Sequence, residues 1–168
     1  LGLDFTDELR LPDDLPLERR MFFYPGSSIG NFDPDAARAF LRNLHQALPA
    51  GSGLLIGVDL VKDRQVLERA YNDAAGVTAL FNLNLLERIR SELDSDIDPL
   101  RFQHRAFYNG AESRIEMHLV SLRAQRVRIE DRVFEFAAGE TLHTENSYKY
   151  TPSGFRDLAG ACGFASVA

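Results

Sequence analysis

Tryptophan is absent from this chain of 168 residues, and cysteine occurs once. A lone Cys162 excludes an internal disulfide framework and fits a reducing cytosol, so a cytoplasmic location is the default expectation. No apolar run approaches the roughly 20 residues of a membrane-spanning helix. Basic residues do not gather: 19 Lys and Arg stand against 25 Asp and Glu, with a net charge of −6. The basic stripe of a nucleic-acid binder is therefore missing. The opening LGLDFTDELR lacks a basic n-region and an apolar h-region, which excludes a signal peptide there. It also lacks Met, and we expect the chain to start inside a longer protein. There is no internal repeat, no low-complexity tract, no GxSxG elbow and no Walker loop. Four histidines, His45, His104, His118 and His143, show no recognised metal spacing and read as surface or half-buried side chains.

The composition that remains is that of an ordinary globular chain, long enough to bury a sizeable core. Residues 2–5 read as the end of a strand. MFFYP (21–25) is a short apolar run bounded by turn residues, as in a strand of a parallel sheet buried on both faces. Asp33 and Pro34 then announce a helix, with a cap followed by proline in the first turn. Ala37, Phe40, Leu41, Leu44 and Leu48 recur at helical spacing along it. LLIGV (54–58) is a second apolar strand ending at Asp59, which completes a βαβ unit. Residues 63–92 read as helical, with breaks expected at Gly76 and Asn82. Residues 102–148 alternate like antiparallel strands, with turns at Asn109-Gly110 and Glu130-Asp131. Thr151-Pro152 opens a last helix over 152–161. The expected fold is α/β, with core segments 1–60 and 151–168 and an α+β insert over 61–150.

Two stretches invite chemistry. The loop after the first strand carries Gly26, Ser27, Ser28, Gly30 and Asn31, at the strand end where open α/β sheets bind ligands. Its amides and the Asn31 side chain suit an amino acid's ammonium and carboxylate, although a tight turn with Asn31 as a local cap explains the same residues. HTENSYKY (143–150) is polar on both faces. Glu145 and Ser147 share a face by strand geometry, either as a pocket wall or on an exposed edge strand. Met117 and Tyr71 are each open to a core or a ligand role.

Five stretches, YPGSSIGNFDPDAARAFL, LLIGVDLVKD, AYNDAAGVTALFNLNLLERI, RIEMHL and FAAGETLHTENSYKYTPSGF, occur in one order. Together they resemble the histidine-specific Nα-methyltransferases of the ergothioneine pathway, which use S-adenosylmethionine. The resemblance implies a partial Rossmann-like class I methyltransferase core with a substrate-binding insert. It implies that Gly26, Asn31 and Tyr71 hold the amino acid's backbone end. It implies that Met117, Glu145 and Ser147 surround the imidazole, and that Asp4 and Phe5 lie against the cofactor's adenine. The family's glycine-rich cofactor loop and ribose-binding acid have no counterpart here, so the chain resembles the C-terminal portion only. The expected reaction is trimethylation of the α-amine of L-histidine. The alternatives are methylation of another aromatic amino acid, or a non-catalytic fragment. No metal, nucleic acid or membrane partner is expected.

Overall fold

The computed structural model describes residues 18–167. They form two compact units. The first holds the described residues up to Val61 together with those from Tyr148 onward, and the second holds Lys62–Ser147. The expected strand at 2–5 lies outside the described residues.

In the first unit, β1 (Met21–Tyr24) and β2 (Gly53–Ile56) pair in parallel, with Phe22 opposite Leu54 and Tyr24 opposite Ile56. The connecting helix α1 (Pro34–Ala47) starts as its sequence dictates, with the Asp33 carboxylate accepting from the Ala36 amide at 2.8 Å. Its stripe of Ala37, Phe40, Leu41 and Leu44 is buried beside Ile29 and Cys162, and Phe22, Tyr24, Leu54 and Ile56 pack against it. The expectation of strands buried on both faces is corrected here. Met21, Phe23 and Leu55 are 69%, 68% and 56% exposed. α1 covers the face that carries Phe22 and Tyr24, and among the described residues no helix covers the other.

The last helix, α4 (Pro152–Ala161), is capped by Thr151, whose hydroxyl accepts from the Gly154 amide at 3.0 Å. Gly163 follows at φ 99°, and a Cβ there would come within 2.7 Å of the His45 ring, so only glycine fits. Within this unit, backbone bonds join residues 59–61 to Tyr150. Tyr150 donates to the Asp59 carbonyl at 2.9 Å, and Val61 donates to the Tyr150 carbonyl at 3.0 Å. Beside them the fully buried Lys149 ammonium lies 3.1 Å from the Asp59 carboxylate.

In the second unit, α2 (Arg64–Tyr71) and α3 (Val77–Glu92) are separated near Gly76, which sits at φ 71°. Asp73 accepts from the Val77 and Thr78 amides, both at 2.9 Å, and so caps α3. The expected break at Asn82 does not occur. Its side chain is buried, and its amide nitrogen donates to the His118 carbonyl at 3.2 Å and meets His104 Nδ1 at 3.0 Å, so that nitrogen is used against the sheet and the helix continues, while Oδ1 is buried without a partner among the described residues.

β3 (Phe102–Asn109) and β4 (Arg114–Ser121) form the expected antiparallel hairpin, and β7 (Thr141–Tyr148) lies on the other side of β4. β5 (Gln125–Ile129) and β6 (Arg132–Phe136) make a separate hairpin. Two apolar clusters hold this unit. Leu86, Ile97, Phe102, Leu119 and Val127 form one, and Leu67, Ala106, Ile115 and Met117 form the other. No helix among the described residues is long and apolar enough to cross a membrane.

Candidate functional site

The loop leaving β1 sits at the carboxyl end of the parallel pair. Gly26 has φ 79° and Ser27 φ 59°, two successive left-handed residues that reverse the chain. A single 3-10 turn follows over Ser28–Asn31, closed by Gly30 N–H to the Ser27 carbonyl at 2.9 Å. Ile29 and Gly30 are buried beneath it, whereas Asn31 is exposed. β2 approaches this loop closely. Gly57 donates to the Tyr24 carbonyl at 3.0 Å, and a Cβ on Gly57 would lie 3.4 Å from the Gly26 nitrogen. Asp33 performs the capping, so the local-cap reading of Asn31 is not what the chain uses. The Asn31 amide has no hydrogen-bond partner among the described residues.

In the second unit, three sequence-predicted residues come together. Tyr71 ends α2 and packs against the cluster that contains buried Met117. Its hydroxyl donates to Ser147 Oγ at 2.8 Å. β7 runs beside β4 at this level, with the Thr144 hydroxyl donating to the Met117 carbonyl at 3.0 Å. Glu145 is half-buried on the same strand, two residues before buried Ser147. β7 is also the edge of its three-stranded sheet, with Ser147 and Tyr148 buried on it. Asp4 and Phe5 lie outside the described residues.

Sequence reasoning missed a third constellation. Glu116 and His118 stand two apart on β4, facing away from Met117. His118 is stacked between Phe107 and His143, with ring centroids at 5.2 and 4.5 Å. Glu116 accepts from Asn109 at 2.9 Å, from the Arg114 guanidinium at 2.7 and 2.8 Å, and from His118 at 3.2 Å. The alternation of β4 was visible in the sequence, but the neighbour bringing His143 was not.

Burial alone would raise the Glu116 carboxyl. The Asn109, Arg114 and His118 hydrogen bonds and the Arg114 charge outweigh it and hold the group down at about 2, against an ordinary 4.5. Burial pushes His118 below its ordinary value, with Glu116 pulling the other way. The Glu116 contribution to stability is therefore complete above pH 4.5 and lost as the pH falls toward 2. It amounts to roughly 3 kcal/mol. Urea midpoints of the wild type and Glu116→Gln should differ at neutral pH and converge in acid. A gap that persists at the acid end would contradict this assignment.

With the geometry described, comparison places the chain. Residues 1–168 match the family described as histidine-specific, SAM-dependent methyltransferases. The chain belongs to that family. It is 48% identical over 152 residues to a histidine N-alpha-methyltransferase of Mycolicibacterium smegmatis, covering 89% of this chain and 46% of the relative. The corresponding enzyme of Mycobacterium tuberculosis is 46% identical over 151 residues, covering 89% and 47%. An L-tryptophan methyltransferase of Psilocybe serbica is 28% identical over 160 residues, covering 94% and 44%. The chain thus spans about half the length of the curated relatives it matches.

Proposed function

We propose that this chain supplies amino-acid recognition to an S-adenosylmethionine-dependent Nα-methyltransferase acting on L-histidine. The observation that carries this reading is the 2.8 Å bond from Tyr71 to Ser147 beside buried Met117. It ties the tyrosine assigned to the substrate's backbone end to the serine assigned to its ring.

In this reading Met117 offers an apolar wall to a flat imidazole. Glu145 accepts a ring N–H, and Ser147, already held by Tyr71, completes the polar edge. Gly26 and Asn31 hold the backbone end. The cofactor, when bound, supplies an electrophilic methyl group. The α-amine must meet it neutral and aligned, so positioning does most of the work asked of these residues. No general base is assigned. Each methylation removes an N–H and adds bulk. Asn31 and Tyr71 must therefore accept an amine that ends as a quaternary ammonium, the trimethylated product we propose. Asp4 and Phe5 remain the residues proposed for adenine.

A second reading, methylation of another aromatic amino acid, is favoured by the similarity to the Psilocybe serbica enzyme. Methyl transfer from labelled S-adenosylmethionine, measured on the protein that carries this chain with L-histidine and L-tryptophan in parallel, separates the two. Preferential labelling of L-histidine is expected. Labelling of L-tryptophan alone would replace the first reading with the second.

A further inference from the structure

We propose that Glu116, His118 and His143 form a binding site for a divalent transition metal of the zinc type, one that pins β7 to β4. Glu116 and His118 lie on the face of β4 opposite Met117, and His143 shares a face of β7 with Glu145 and Ser147 by period-two geometry.

The argument begins with strand geometry. Positions 116 and 118 project from one face of β4, opposite the face that buries Ile115, Met117 and Leu119. Two ligands spaced i, i+2 on one strand and a third from the next strand give three donors converging from one side. One donor atom from each of the three side chains lies within 4.8 Å of the others. Glu116 Oε2 and His118 Nε2 are 3.2 Å apart. That is close to the separation of two ligand atoms bound at about 2.0–2.1 Å in a tetrahedral zinc site. The separation fits, but the proton between them must leave Nε2 and the imidazole must tilt before both can face one ion.

His143 must move. Its ring lies at 14° to that of His118, and two nearly parallel stacked rings cannot aim their lone pairs at one point. His143 is exposed on the edge strand, so its ring can turn without disturbing packed neighbours. A carboxylate, two imidazoles and an open fourth position make a donor set suited to zinc, cobalt or nickel.

The buried Nδ1 of His118 has no hydrogen-bond partner among the described residues, so it can take the proton that Nε2 donates to Glu116 and free Nε2 to ligate. One feature opposes binding. Arg114 sits against Glu116 Oε1, and Arg105, which lies 5.4 Å from the Phe107 ring centre, adds positive charge near His118. The site should therefore be weaker than a closed four-ligand structural site.

The test is calorimetric titration of the full chain with Zn²⁺ alone, in buffer free of chelators and slightly above neutral pH. One equivalent should bind saturably. His143→Ala, at an exposed position that should leave folding intact, should weaken binding by more than about 10-fold, since losing even an outer-shell partner costs roughly 10- to 100-fold. His118→Gln should do the same. His45→Ala, on α1 in the other unit, should change nothing. Co²⁺ as a second probe should give visible absorption bands in the wild type that His143→Ala removes. Failure of the wild type to bind saturably, or binding untouched by both His143→Ala and His118→Gln, would overturn the proposal.

Discussion

Glu145→Ala should lower kcat/KM for L-histidine roughly 10- to 150-fold in the protein that carries this chain. In the proposed reading the substitution removes a charge-assisted hydrogen bond to a ring N–H, worth about 1.5–3 kcal/mol. The position is half-buried on β7, two residues before a serine that Tyr71 already holds. An aromatic amino acid whose ring has no N–H should be affected far less, because it never made that bond. Asn31→Ala should act differently. Asn31 is assigned to the backbone end, so every amino-acid substrate should suffer alike. Steady-state kinetics with paired substrates reads both patterns. Unchanged histidine turnover in Glu145→Ala would remove the ring assignment and leave HTENSYKY as an edge strand alone.

The second large effect is on stability. Asp59→Ala should cost about 3–5 kcal/mol, because it strips the counter-charge from an ammonium that is wholly buried. For a chain of this size that is on the order of 6–20 °C in Tm. The double variant Asp59→Ala/Lys149→Met should recover most of the loss, since an apolar side chain of similar length fills the same space without a charge. Thermal melts of the two variants decide the matter. An unchanged Tm in Asp59→Ala would mean that the pair contributes little.

Much of this was legible in the sequence, for local reasons. Asp33-Pro34 and Thr151-Pro152 fix helix starts by short-range hydrogen bonds, and both caps are found. Asn109-Gly110 marks a hairpin, which forms through the Asn109 side chain accepting from the Ala111 and Glu112 amides, with Ser113 rather than Gly110 as the left-handed residue. The misses depend on partners far along the chain. An apolar run such as MFFYP reports the capacity for burial, but not which face a helix will cover. Asn82 looked like a helix breaker because propensity assumes an unpartnered side chain, whereas here His104 and His118 lie beneath it. The Lys149–Asp59 pair joins residues ninety positions apart, and nothing local to either predicts it. The Glu116, His118 and His143 cluster was hidden because strand order, which sequence spacing does not encode, puts β7 beside β4.

For the proposed site, Met117, Glu145 and Ser147 came from the family resemblance, since pattern alone left each with a structural reading. The 2.8 Å bond joining Tyr71 to Ser147 is the structural addition. Under the proposed assignment it couples the substrate's backbone end to its ring end. In Tyr71→Phe, Ser147 loses its donor, and ring recognition should loosen together with backbone recognition.

The most direct measurement is a crystal structure of the protein that carries this chain, with L-histidine and the demethylated cofactor bound. The account predicts the imidazole against the Met117 side chain, with a ring nitrogen within hydrogen-bond distance of Glu145 and the ring edge near Ser147. Well-defined density for L-histidine placed away from Met117, Glu145 and Ser147 would contradict it.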